Sequence, residues 1–139
     1  MNPEAQQILI IDDDAERRQL SVRILSDEGF AVTAVAEGFS AIRAAGRCRF
    51  ALALAAIELP GTLDGLATVR QLRARQPWLK VLFTGDVAQR PWWPGLGCDD
   101  FIAAPFHRRD LLGGIFELLQ REVRRARRSD RLPRLAPIG

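Results

Sequence analysis

Two uninterrupted apolar runs constrain the fold most. Ile8-Leu9-Ile10-Ile11 is one, and Phe50-Ala-Leu-Ala-Leu-Ala-Ala56 is the other. A strand with one wet face alternates, whereas a strand covered on both faces is apolar throughout. Both runs therefore predict central strands of a sheet sandwiched between helices. The stretches between such runs have helical spacing, as βα units around a parallel sheet require. Asp14 caps a first helix to about Asp27, with Leu20, Ile24 and Leu25 on its apolar side and Gly29 past its end. A second strand reads over 31–36 and a short helix over 39–45. A third helix spans 65–75, with Leu66, Val69 and Leu72 on one face, and Gln76-Pro77 stops it. Val81-Leu82-Phe83 and Phe101-Ile102-Ala103-Ala104 give the fourth and fifth strands.

The fourth crossover breaks the pattern. Two prolines and three glycines lie between Thr84 and Phe101, which predicts an irregular or shortened fourth helix. The last helix starts near Arg108 and reaches about Arg128, burying Leu111, Leu112, Ile115, Leu118 and Leu119. Gly113-Gly114 weakens it locally, by roughly 1 kcal/mol each relative to alanine.

With 139 residues, 47% of them hydrophobic, the chain suffices for one domain with a full core. It has no apolar run near the roughly 20 residues of a membrane helix. Met1-Asn2-Pro3-Glu4 lacks a basic start and an apolar stretch, so no signal peptide is expected. Cys48 and Cys98 are far apart and outside any CxxC spacing, which fits reduced thiols in a cytoplasmic protein. The single histidine, His107, reads as a surface or cap residue. The net charge of +3 hides a division. Residues 121–139 hold seven arginines against two acids, a net +5, so the other 120 residues carry −2. The expected organisation is a folded unit over 1–120 followed by an arginine-rich helix end and flexible tail over 121–139.

The residues that end the apolar runs supply the chemistry. Asp12-Asp13-Asp14 follow the first strand, and Ile57-Glu58-Leu59-Pro60-Gly61 follow the third. Thr84 ends the fourth, and Pro105-Phe106 follow the fifth. In this order the chain resembles the receiver domain of two-component response regulators over residues 7–120 or so. The resemblance implies an α/β, flavodoxin-like, doubly wound five-stranded parallel sheet of order 2-1-3-4-5, with the site outside the carboxyl ends of the strands. It also implies an Mg²⁺ site at Asp12 and Asp13, a phospho-acceptor at the position of Ala56, a lysine at that of Ala104, and switch residues at Thr84 and Phe101. Here both reactive side chains are methyl groups. Neither Glu58 nor Asp64 stands where the acceptor would, and Lys80, the only lysine, is at the wrong end of strand four.

The resulting expectation is a stand-alone pseudo-receiver. It takes part in phosphorelay signalling by binding a protein such as a histidine kinase or regulator, with no phosphorylation, no enzyme activity and no required cofactor. Mg²⁺ binding through Asp12 and Asp13 is expected to be weak at most. The two carboxylates repel each other, and Arg108 or Arg109 is the candidate to relieve them. Trp92 and Trp93, set between Pro91 and Pro94, are candidate partner contacts, as are Arg124 and Arg125. The face built from helix 4, strand 5 and helix 5 of the family is a candidate homodimer surface. No membrane contact is expected.

Two other function classes share features with the chain. Asp12-x-Asp14, Thr84 and Asp99-Asp100 are similar to the layout of haloacid-dehalogenase phosphatases. That family also needs a lysine near the site, a cap, and a residue other than Ala15-Glu16 soon after the acidic pair. A nucleic-acid-binding module could use the basic tail, but no recognition helix or aromatic platform accompanies the arginines.

Overall fold

The computed structural model describes residues 5–86 and 101–131, the last ten of them by backbone alone. The elements alternate: β1 (Gln7–Ile11), α1 (Ala15–Asp27), β2 (Ala31–Val35), α2 (Gly38–Ala45), β3 (Leu52–Ala56), α3 (Gly65–Arg75), β4 (Lys80–Gly85), β5 (Phe101–Ala103) and α4 (Arg108–Arg131). The strands form one parallel sheet of order β2-β1-β3-β4-β5, with helices on both faces. This is the flavodoxin-like arrangement. The fourth crossover, and with it the irregular helix expected there, lies outside the described residues. Among those residues no helix is long and apolar enough to cross a membrane.

Successive side chains of a strand point to opposite faces, so the two apolar runs build two cores. Ile8, Ile10, Leu52, Leu54 and Leu82 face α1 and α4, meeting Ile24, Leu25, Leu111, Ile115 and Leu118. Leu9, Ile11, Ala53, Ala55 and Phe83 face the other way, toward Ala41, Val69 and Leu72 of α2 and α3. Burial of the aliphatic runs on both faces drives the assembly, at about 25 cal/mol per Å² of apolar surface removed from water.

Local details position this frame. Asp14 accepts a hydrogen bond from Arg17 N at 2.9 Å and caps α1 as expected, and Gly29 follows the helix at φ 90°. Leu20 departs from the expected apolar side. It is 43% exposed, because α1 turns it toward the strand ends and not onto the sheet. Gly114, expected only to weaken the last helix, also lets it approach the sheet. A Cβ there would stand 3.1 Å from the Leu82 side chain. His107 sits before α4, where its N–H donates to Asp110 Oδ2 at 3.1 Å, a capping arrangement.

At the amino end of the strands, Gln76 is buried and does more than stop α3. Its side-chain oxygen accepts from Phe50 N at 2.9 Å, and its Nε2 donates to the carbonyls of Ala45 and Cys48 at 2.9 and 2.8 Å. One amide thereby satisfies three backbone groups of the α2–β3 connection. Beside it, the Trp78 indole donates to Phe50 O, and the Arg49 guanidinium lies 4.1 Å from the Trp78 ring centroid.

Candidate functional site

The parallel register brings the sequence-predicted residues to one end of the sheet. Ala56 pairs with Thr84 across β3 and β4, and Ile57 N donates to Thr84 O at 3.0 Å. Ala104 follows β5 and its N–H donates to Gly85 O at 2.8 Å. Asp12 follows β1, its N–H held by Val35 O at 3.0 Å. An open cleft of about 810 Å³ lies over these ends, with Asp13, Arg17, Ala56, Thr84 and Ala104 among its lining residues.

The α3 side of the cleft depends on Gly65. Its N–H donates to Ile57 O at 2.8 Å, and a Cβ there would stand only 2.0 Å from the Ala56 carbonyl oxygen. No side chain fits at that distance, so the DG pair of the loop is set by packing against the end of β3. Asp64, the residue before it, caps α3 by accepting from Ala67 N at 2.8 Å. Its carboxylate is therefore spent on the helix start.

Asp12 is 3% exposed. A carboxylate so buried needs a counter-charge, and the structure supplies one that sequence reasoning missed. Arg17, in the first turn of α1, grips it with a two-pronged fork: Nε donates to Oδ2 at 2.5 Å and Nη2 donates to Oδ1 at 2.8 Å. Asp14 N adds a 3.0 Å bond to Oδ1, and the Arg18 guanidinium donates to the Asp12 carbonyl at 2.8 Å. The bond to Asp12 raises the Arg17 pKa above its ordinary value, so the guanidinium stays charged. Arg108 does not play this part. It is engaged with Glu28 at 2.7 Å and Asp27 at 3.6 Å on the α1 side of the fold. The helix start that carries Arg17 lies next to β1 in sequence, and that proximity decides between the arginines. The signal available in the sequence was a cation in the first turn after a buried acid.

The donor set does not fit a divalent cation. Mg²⁺ asks for about six oxygens near 2.0–2.1 Å in octahedral array. Both Asp12 oxygens already accept from Arg17, and Ala56 offers no side-chain oxygen. Among the described residues no group of three His, Cys, Asp or Glu could hold a metal ion. Asp13 is exposed on the cleft wall. The cleft is open and acid-lined, not the small dry pocket that two alanines alone would leave.

Thr84 is 1% exposed, and its Oγ1 has no hydrogen-bond partner among the described residues. Phe101 is partly buried and packs against the core that faces α2 and α3. Trp92 and Trp93 lie outside the described residues. Arg124 and Arg125 fall within α4, but their side chains lie outside the described residues too. What the site can do follows from this inventory. Among the described residues it presents no nucleophile at the end of β3 and no free cation at the end of β5, and the buried acid Asp12 is already neutralised by Arg17.

Comparison with known proteins gives the same frame. Residues 8–116 match the model of the response regulator receiver domain. Transcriptional regulatory protein GltR of Pseudomonas aeruginosa is 34% identical over 126 residues, covering 87% of this chain and 52% of the relative. Transcriptional regulatory protein ResD of Bacillus subtilis is 32% identical over 116 residues, covering 82% and 48%. The chain thus spans about half the length of these curated relatives. Among solved structures, a response regulator receiver protein from Sinorhizobium medicae superimposes with a TM-score of 0.74 at 28% identity, covering 86% of this chain and 98% of that one. The receiver domain of a sensor histidine kinase from Pseudomonas aeruginosa, with a magnesium ion coordinated in its active site cleft, gives 0.65 at 27% identity, covering 84% and 98%.

Proposed function

The chain belongs to the response regulator receiver domain family of two-component signalling, and from that premise we propose that it is a pseudo-receiver, acting by binding a protein partner without being phosphorylated. Receivers as a family interact with kinases and regulators, and this chain keeps the fold that presents such surfaces. The observation that carries the reading is the end of β3, where Ala56 sits buried opposite Thr84 with a methyl group in place of an acceptor oxygen. Ala104 repeats the loss at the end of β5. Phosphoryl transfer to protein needs an oxygen nucleophile and fixed positive charge around the transferred group, and both are missing together. Arg17 adds a third support. Its guanidinium occupies both oxygens of the first acid, whereas the kinase receiver from Pseudomonas aeruginosa has a magnesium ion coordinated in its active site cleft. Residues 1–120 are the receiver unit in this reading, and 121–139 an arginine-rich extension. Trp92, Trp93, Arg124 and Arg125 are the partner contacts first to be changed.

The test is incubation of the full chain with acetyl phosphate and MgCl₂, followed by intact-mass measurement. No phosphoryl increment is expected, and an increment lost in Glu58→Gln would overturn the reading by naming a substitute acceptor. One observation weighs against the phosphatase alternative. Asp12, which would have to attack the phosphate ester, has both oxygens held by Arg17.

A further inference from the structure

Three features of the cleft remain unused once phosphate and metal are set aside. The first is its charge. Asp13, Glu16 and Glu58 line it, and none of them is in a salt bridge among the described residues. Arg17, also in the wall, is committed to Asp12. The second is its shape. The carboxylates are spaced around an open volume and do not converge into a metal cage, while Leu20, Ala56, Ala104 and Phe106 supply apolar wall between them. The third is Thr84. It lines the same cleft, it is 1% exposed, and its Oγ1 has no partner among the described residues. Buried hydroxyls are nearly always hydrogen-bonded, and an exception calls for a reason.

We propose that this cleft is a receptor for a basic side chain, a lysine or arginine delivered by a protein partner. The proposal rests on the reading that this receiver binds its partner without phosphate, and it names the chemistry of that contact. A long cationic side chain has an apolar stem and a charged head. The stem suits the methyl groups of Ala56 and Ala104, which leave room between the ends of β3 and β5. Thr84 Oγ1 is itself buried, so the head meets it once the side chain turns that oxygen toward the cleft. Spaced carboxylates at the rim draw the cation in, because a cleft lined by one sign of charge concentrates the opposite sign. A compact divalent ion needs oxygens gathered about one point, whereas an ammonium or guanidinium on a stem accepts partners spread over several ångströms.

The test is an NMR titration of the ¹⁵N-labelled full chain, without phosphodonor, so that its failure leaves the phosphorylation reading untouched. The probe is a glycine-flanked lysine peptide, with an otherwise identical norleucine peptide and spermidine as controls. The lysine peptide is expected to shift the amides around Ala56, Thr84 and Ala104, and the norleucine peptide is expected to leave them in place. Thr84→Val keeps the side-chain shape and removes the hydroxyl. It should hold or raise the melting temperature, since it deletes an unsatisfied buried group, and should weaken peptide binding roughly tenfold. Ala104→Lys, which plants a tethered ammonium beside the cleft, should abolish it. Equal binding of the norleucine peptide, unchanged affinity in Thr84→Val, or tighter binding of spermidine than of the peptide would each overturn the proposal.

Discussion

The end of β1 and the ends of β3 and β5 face the same cleft and have solved the same electrostatic problem in opposite ways. At β1 a buried charge is kept and answered from within the chain, by the Arg17 fork on Asp12. At β3 and β5 the charges are gone from both sides at once, leaving Ala56 and Ala104. Either solution avoids an uncompensated charge out of water, which is the costly state. The difference teaches that, on the pseudo-receiver reading proposed above, the cleft is rid of acceptor and cation without leaving a charge unanswered. Where only one member of a charge pair had gone, the survivor would stand unpaired, and no described residue of the cleft floor is left in that condition.

The comparison can be broken most directly at Arg17. Arg17→Ala would strand the Asp12 carboxylate and is expected to destabilise the domain by about 3 kcal/mol in urea unfolding. Asp12→Ala combined with Arg17→Ala should cost clearly less than the two single changes summed. Additive costs would show that the fork does not matter to stability. Next in size is Gly65→Ala, which drives a methyl group into the Ala56 carbonyl and should cost about 2–3 kcal/mol by thermal unfolding. A smaller effect tests the other side of the contrast. Ala56→Asp alone puts an unanswered carboxylate at a buried strand end and should cost about 1–2 kcal/mol. Adding Ala104→Lys should recover part of that loss, and a double-mutant cycle without coupling would mean that the two positions do not share a site.

The smallest effect concerns acid. The N–H of Arg17 bonded to the Asp14 carboxylate, with the nearby Arg17 charge, holds that carboxyl below its usual value, against a weaker push from desolvation. Its folded-state pKa is depressed, so its contribution is present above the ordinary value near 3.8 and fades as pH falls through the lowered one. The loss of stability between pH 5 and 2 should therefore be slightly shallower in Asp14→Ala than in the parent chain. Identical slopes would remove Asp14 from the account.

The frame was legible in the sequence because apolar runs and caps are local signals. The runs at 8–11 and 50–56 announced strands buried on both faces, and Asp14 stood where a helix start needs an acceptor, whereas the Asp64 cap of α3 emerged only in the structure. The order of strands came with the family resemblance and not from periodicity. The Arg17 fork was not legible. The chain has 19 arginines, and composition cannot say which guanidinium reaches a given acid. That choice depends on the angle at which α1 leaves β1. Leu20 misled for a related reason. Helical spacing gives a stripe, but the width of the covered face depends on where the neighbouring strand ends. Gln76 looked like a simple stop before proline, since nothing local marks a side chain that will serve backbone 26 to 31 residues away.

That glutamine bears on how the molecule would age. Its amide nitrogen gives protons to two carbonyl oxygens while its oxygen takes one from Phe50. Hydrolysis of this single amide to an acid would turn two attractions into two repulsions inside a closed space. Chemical wear at the pole away from the cleft would thus loosen the join between α2, α3 and the entry to β3, while the residues that line the cleft remained chemically intact.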